Sequence, residues 1–462
     1  MPSEAILTVD QMRAAEEAAM DSGTSEWELM QRAGQGAGQW VARMAAGRAV
    51  CLLCGPGNNG GDGYVIAEFL RSQGNPVHVI APKPPGSETA RTAREAFGGK
   101  VVEEGELDAP VLVDCLFGYG LSREVKGAFA VLLKELDSAD AFKIAVDVPS
   151  SITSDTGEAM GPTVDYDLTL ALGAWKHAHF IMPAMAAMGA KRLIDIGLSP
   201  TRDAPTLSQA PRLSAPADDA HKYRRGLLAV IAGEMPGAPI LAAEAAMRCG
   251  AGYVKLFSDH SHPDAPVDLV IEDRPLDEGL ADDRIAAVLI GPGLGRSDAS
   301  RQRLEQALAT RHSAILDADA LHLLTPTLLE GAAMQKLVVT PHEGELAALC
   351  KAFDVDGNTK LERAKGLHEA TGMTVLAKGP DTVLVGKHGV RFFPRGSSWL
   401  SVAGSGDVLA GMAASRLAYG GDGFAACEEA IWIHHEAARL SKPAFTASEL
   451  ADKAAAALEI FL

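Results

Sequence analysis

The chain has 462 residues, enough for two or three domains, and 47% apolar against 22% charged residues, the balance of a globular protein with full-sized cores. A formal net charge of -18 argues against nucleic acid and anionic membrane partners, which need Lys/Arg-rich faces. The six cysteines, spread from Cys51 to Cys427, are too sparse for a disulfide framework; Cys51 and Cys54 share one apolar run and read as core. Met1–Asp10 lacks a signal-peptide pattern and no apolar window is long enough to span a membrane, so a cytoplasmic location is expected.

In chain order, an Ala/Glu-rich stretch from Val9 to Ala46 reads as helix. Strands are predicted at Ala49–Cys54, Val77–Ala81, Val111–Leu116, Lys143–Val148, Leu168–Leu172 and Arg192–Ile196, alternating with helix-like segments such as Tyr64–Gln73. Near-continuous apolar strands suit a parallel sheet covered on both faces, a Rossmann-like doubly wound arrangement. Residues 201–219, rich in Pro, Ser, Ala and Asp, read as a linker between a domain at 1–200 and a second at 220–462. The second half restarts with a strand at Leu227–Ile231 and a helix at Ile240–Arg248. Further strands are predicted at Tyr253–Phe257, Ala287–Ile290, Ala314–Leu316, Leu337–Val339, Thr374–Ala377, Thr382–Val385 and Val390–Phe393, before a long Ala-rich helical region from Asp407. The whole is therefore α/β in class.

Gly55-Pro56-Gly57-Asn58-Asn59-Gly60-Gly61-Asp62-Gly63 sits at a strand-to-helix turn. Glycines there let backbone approach a ligand and aim N–H groups at a phosphate, although the run is neither the usual dinucleotide fingerprint nor a Walker loop. Asp114, followed by Gly118-Tyr119-Gly120-Leu121, and Asp147, followed by Val148-Pro149-Ser150, end two further strands. Each Asp alone could merely cap a helix. Three such strand ends together point to one site.

These motifs resemble the NAD(P)H-hydrate epimerase family over about the first 200 residues. The resemblance implies that Asn58, Asn59, Gly60, Gly61, Asp62, Gly118, Tyr119, Gly120, Leu121 and Asp147 contact a hydrated nicotinamide nucleotide. It also implies a potassium ion on oxygen ligands from Asn59, Asp114 and Ser150, a hard-cation set. Asp147 would be the acid/base group, with Lys176 nearby. Ser151 departs from the family's usual glycine, and the Ala174–His179 stretch is atypical.

In the second half, Gly404-Ser405-Gly406-Asp407 leads into an apolar helix. Free N–H groups at a helix start can hold an anion, and an Asp in the first turn can take a proton from a substrate hydroxyl. The bland alternative is an Asp that complements the helix dipole. Supporting pieces are Gly237-Ala238-Pro239, Gly291–Gly295, Asp317-Ala318-Asp319, Thr340-Pro341-His342 and Lys378-Gly379-Pro380-Asp381-Thr382. Together these resemble the ribokinase-like fold and, more narrowly, the ADP- or ATP-dependent NAD(P)H-hydrate dehydratase family, from about His221 onward. The resemblance implies that Ala238, Gly293, His342 and Asp407 contact the hydrate. Lys378, Gly379, Pro380, Asp381, Thr382 and Gly406 would contact ADP or ATP, with Mg²⁺ on its phosphates. Ala232-Gly233-Glu234 departs from a common Gly-Gly-Ser.

The implied substrates are hydrated NADH and NADPH. The implied activities are epimerisation of their R and S forms and nucleotide-dependent dehydration of the S form, with Asp407 as base. A vitamin-type kinase and a non-catalytic nucleotide-binding scaffold are the alternatives. Self-association into a homo-oligomer is expected.

Overall fold

The computed structural model describes residues 4–199, 203–260, 262–263 and 265–462. The chain divides into two compact units, Met1–Leu207 and Ser208–Leu462. A short strand, Thr206–Leu207, falls in the stretch read as linker.

In the first unit the strands lie in the order Val101–Val102, Val77–Ile80, Val50–Cys54, Val111–Cys115, Phe142–Val146, Leu168–Leu172 and Ala190–Ile194, all parallel. Val50–Cys54 is wholly buried because both faces are covered. Leu52 and Cys54 pack with Val41, Ile66 and Val113, whereas Cys51 and Leu53 pack with Leu112, Leu133 and Leu136. The chain leaves Val50–Cys54 in one direction and returns on its other side at Val111–Cys115. The crevice outside these carboxyl ends is the switch point where open α/β sheets bind ligands.

Several expectations change. The strand expected at Lys143–Val148 is Phe142–Val146, which leaves Asp147 just beyond its end. The stretch Val9–Ala46 forms two helices, Val9–Asp21 and Glu26–Ala45, because Gly23 turns at φ +102° and Ser25 caps the second helix. The last strand runs Ala190–Ile194, two residues earlier than Arg192–Ile196, since Ala190 and Lys191 pair with Leu168 and Thr169. The helix expected at Tyr64–Gln73 starts at Asn58. Asn58–Gly63 is thus not a loop before the helix but its first turns.

The second unit's sheet runs Gly389–Phe392, Val383–Gly386, Thr374–Ala377, Leu337–Val339, Ser313–Leu316, Ile285–Ile290, Leu227–Ile231, Tyr253–Phe257 and Val270–Glu272. It is parallel except for the antiparallel meander Thr374–Phe392. Helices Gly237–Met247, Ser405–Gly420 and Gly423–Leu440 contribute to one core with the strands. Ser405–Gly420 is buried continuously from Val408 to Ala418, its two polar members satisfied, Ser415 by the Ala246 carbonyl and Arg416 by Glu429. It approaches Gly237–Met247 so closely that a Cβ on Gly411 would stand 2.1 Å from the Ala242 carbonyl oxygen. Parallel strands deliver Asp317, Thr340 and Lys378 to one edge of the sheet. No helix among the described residues is long and apolar enough to cross a membrane.

Candidate active sites

In the first unit, glycine is required where the helix Asn58–Ser72 meets the strand ends. A Cβ on Gly55 would stand 1.7 Å from the Leu116 carbonyl oxygen, and one on Gly60 1.9 Å from that of Gly55. The helix starts at Gly57 without a side-chain cap, so its first-turn N–H groups are available to an anion. They open, with Asp62, Gly118–Leu121, Asp147 and Lys176, onto a cleft of about 840 Å³.

Asp147 is the best-held group in this cleft. Its backbone sits at φ +71°, an unfavourable region for a non-glycine residue. The conformation is over-determined: its N–H donates to the Leu170 carbonyl at 2.7 Å, while one carboxylate oxygen accepts from the Tyr119 N–H at 2.9 Å and the other from the Leu172 N–H at 3.3 Å. Lys176, fully buried, forms an ion pair with the same carboxylate and donates to the Leu172 carbonyl at 2.6 Å. Behind it His179 accepts the Lys176 N–H on Nδ1 at 2.9 Å, which leaves Nε2 to donate to the Asp147 carbonyl at 2.8 Å. Burial first, and Lys176 second, push the His179 pKa down to about 4, so the ring is neutral. The atypical Ala174–His179 stretch is thus what brings both Lys176 and His179 to Asp147.

Asn59 is buried beside this carboxylate. A Cβ on Gly118 would lie 3.0 Å from Asp147 Oδ2 and 3.3 Å from Asn59 Cβ. Asn59 donates to the Val146 carbonyl at 3.3 Å, while its Oδ1 is buried without a hydrogen-bond partner. Asp114 accepts from the Ser150 hydroxyl at 2.5 Å, the Leu116 N–H at 3.0 Å and the Tyr166 hydroxyl at 2.5 Å. Burial raises its pKa against these hydrogen bonds. Ser151 is buried and its carbonyl accepts from Met160, leaving Ser150 on Asp114. Asp62 is only 8% exposed, and burial and then Asp147 hold its pKa well above the usual carboxylate range. Asn58 is turned outward, donating to Glu26 at 2.8 Å.

Three contributors escaped the sequence reading: Glu16, which accepts the Tyr119 hydroxyl at 2.6 Å, Tyr166 and His179. Glu16 comes from a remote helix that carries no motif. The apolar-strand pattern gave no reason to look beyond Lys176.

In the second unit Asp317, 1% exposed, accepts from Lys378 Nζ at 2.5 Å and from the Thr340 hydroxyl at 2.7 Å. Lys378 Nζ in turn lies 3.5 Å from where a Cβ on Gly406 would be. Gly404, at φ +87°, begins the helix Ser405–Gly420 without a side-chain cap, and places Asp407 in its first turn. Burial, followed by the Asp317 charge, raises the Asp407 pKa to about 6, with Lys378 opposing. Gly293 and Ala238 meet: a Cβ on Gly293, at φ +65°, would be 3.3 Å from Ala238 Cβ and 2.5 Å from the Met235 carbonyl oxygen. Glu234, at the departure from Gly-Gly-Ser, packs its carboxyl against Gly295.

Other predicted contacts serve the scaffold in this state. The Thr382 hydroxyl closes its turn on the Gly379 carbonyl at 2.7 Å, and Asp381 is ion-paired with Lys360. His342 is exposed and caps the helix Glu343–Ala352, its Nδ1 accepting from Gly344 and Glu345. Among the described residues no three His, Cys, Asp or Glu side chains form a metal-binding group.

The geometry defines a two-unit α/β enzyme: a nucleotide-type cleft around a lysine-paired aspartate, and an uncapped helix start with an aspartate of raised pKa. Residues 26–178 match the family model for the YjeF-related protein N-terminus, and residues 228–459 the model for NAD(P)H-hydrate dehydratase. The bifunctional NAD(P)H-hydrate repair enzyme Nnr of Mycobacterium tuberculosis is 34% identical over 437 residues, 89% of each chain. That of Coxiella burnetii is 32% identical over 467 residues, 93% of each. Among solved structures, an ADP/ATP-dependent NAD(P)H-hydrate dehydratase from Bacillus subtilis, co-crystallised with ATP/Mg²⁺, is similar at 25% identity and TM-score 0.46, covering 54% of this chain and 95% of that one. The chain belongs to the family of bifunctional NAD(P)H-hydrate repair enzymes.

Proposed function

We propose that the first unit interconverts the R and S hydrates of NADH and NADPH, and that the second dehydrates the S form at the expense of ADP or ATP. The observation that carries the second assignment is Asp407, partly buried at an uncapped helix start beside the Lys378–Asp317 pair. Hydroxide is a poor leaving group from the hydrated ring. Asp407 takes the proton of the 6-hydroxyl as that oxygen attacks the terminal phosphorus and the shortened nucleotide departs. The ring nitrogen's electron pair then expels phosphate, and loss of a proton from the neighbouring ring carbon restores the dihydronicotinamide. The N–H groups around Gly404–Gly406, with Lys378, stabilise the transferring phosphoryl. A magnesium ion would neutralise charge on the nucleotide phosphates. With no protein-only cage of ligands among the described residues, phosphate and water would supply most of its coordination.

In the first unit Asp147 is the acid/base group at the hydrate's 6-position, with the helix start at Asn58 facing the substrate's phosphates. The orphaned Oδ1 of Asn59, with Asp114 and Ser150, offers hard oxygen donors that fit a potassium ion. Such an ion would supply fixed positive charge beside the substrate.

Asp407→Asn tests the assignment. Recovery of dihydronicotinamide absorbance from hydrated NADH with nucleotide and Mg²⁺ should be abolished while epimerisation continues. Unchanged dehydration would sink it. A simple kinase would instead accumulate a stable phosphorylated product.

A further inference from the structure

The first unit's strand order carries a feature that the reacting end does not use. Along the carboxyl edge of the sheet, Asp147 follows Phe142–Val146, the glycine turn follows Val50–Cys54, and Lys83 stands just beyond Val77–Ile80. Three inter-strand steps separate the first and last of these strands, roughly 14 Å at about 4.8 Å per step. That is too far for a nicotinamide ring alone and suited to a dinucleotide laid across the strand ends.

Lys83 lines the same cleft as Asp147. Its ammonium stands 5.7 Å from the centroid of the Phe129 ring, which meets Phe117 edge to face at 5.0 Å. Lys126, also on the cleft wall, is neutralised by Glu124 at 2.7 Å. Lys83 forms an ion pair with no carboxylate among the described residues, in a chain with a formal charge of -18. An unpaired cation held over an aromatic face at the end of a substrate cleft is suited to an anionic group of the substrate.

Doubly wound dinucleotide sites divide their labour by strand. The helix after the first strand meets the pyrophosphate, and a residue past the second reads the adenosine ribose, an acid suiting a free 2′-hydroxyl and a cation a 2′-phosphate. In this unit the helix Asn58–Ser72 occupies the first position and Lys83 the second.

We propose that Lys83 forms the subsite for the 2′-phosphate of the adenosine ribose, so that the epimerase unit favours hydrated NADPH over hydrated NADH. The inference rests on the epimerase reading above. The test compares epimerase kcat/KM of the full-length protein for the two hydrates in Lys83→Gln and Lys83→Arg. Lys83→Gln should lose about tenfold on hydrated NADPH, the worth of one charge-assisted hydrogen bond, and keep hydrated NADH within about twofold. Lys83→Arg should retain the preference. Dehydratase activity, housed in the other unit, should be unchanged and reports intact protein. Equal losses on both hydrates would assign Lys83 to the pyrophosphate and overturn the inference. So would no loss on either. A wild-type protein that epimerises neither hydrate would instead refute the epimerase reading itself.

Discussion

The Tyr119 hydroxyl donates to the Glu16 carboxylate at 2.6 Å while the Tyr119 backbone N–H donates to Asp147 at 2.9 Å. One residue thus ties the helix Val9–Asp21 to Asp147, the proposed acid/base group, across the cleft. Burial raises the pKa of Glu16, and the tyrosine hydrogen bond opposes that shift. Tyr119→Phe should lose about 1–3 kcal/mol, since it leaves a largely buried acceptor without its donor. Glu16→Gln, which keeps an acceptor, should lose less. Thermal unfolding of both variants and their double mutant would show a coupling. Strictly additive losses would mean that the two residues act independently.

Asp147 and Lys176 are both buried, so removing one partner strands the other. Lys176→Met should destabilise the first unit by about 3–5 kcal/mol and abolish epimerisation. Adding Asp147→Asn should recover much of the stability and none of the activity. Denaturant unfolding separates the two outcomes. A single mutant as stable as wild type would show that the pair is solvated.

As the proposed base, Asp407 must be ionised to accept a proton, so dehydratase activity should fall as pH drops through about 6. Asp317→Asn removes the charge that helps raise this pKa and frees Lys378 to lower it further. Its acid limb should move down in pH, as read from kcat/KM profiles. A limb that stays in place would assign it to another group.

The same shift has a stability consequence of opposite sense. A carboxyl whose folded pKa exceeds its unfolded value favours the native state when protonated. That contribution is full below about 4 and is lost as pH rises through about 6. At pH 8 Asp407→Asn should therefore be more stable than wild type, by about 1–2 kcal/mol after solvent screening, although inactive. Equal melting temperatures at pH 8 would contradict this.

Two glycines should respond separately. Gly60→Ala pushes a methyl against the Gly55 carbonyl, and Gly291→Ala, at φ +129°, against that of Asp317 at 1.7 Å. Each should cost more than about 1 kcal/mol and depress one activity only. Parallel assays of epimerisation and dehydration would reveal any loss shared by both.

Much of this architecture is legible in the chain itself. Runs such as Leu227–Ile231 and Leu168–Leu172 match their strands residue for residue, because a strand covered on both faces is near-continuously apolar, Thr169 being the one polar residue in these two. Very short strands such as Ile6–Leu7 and Trp175–Lys176 leave no periodic trace, since they arise from long-range pairing with each other. The glycine run also misled in one respect. Helix propensity disfavours Asn58–Gly63, yet close packing against Gly55, Met30 and Cys115 outweighs it and winds the run into helix. Motifs put Asp407 at a helix start and Asp317 and Lys378 at strand ends, whereas their hydrogen bonding had to come from the fold. Lys360 on Asp381 and Glu16 on Tyr119 join elements far apart in sequence, which no local pattern reports.

Under the proposed function, the resting partnership of Lys378 with Asp317 makes Asp407 responsive to the phosphoryl donor. Lys378 lowers the Asp407 pKa, and Asp317 raises it. A polyphosphate that draws the ammonium onto itself leaves Asp317 and Asp407 with less positive charge to offset their mutual repulsion. Asp407 then becomes a stronger proton acceptor once the group to be transferred has arrived, so that loading the donor arms the base.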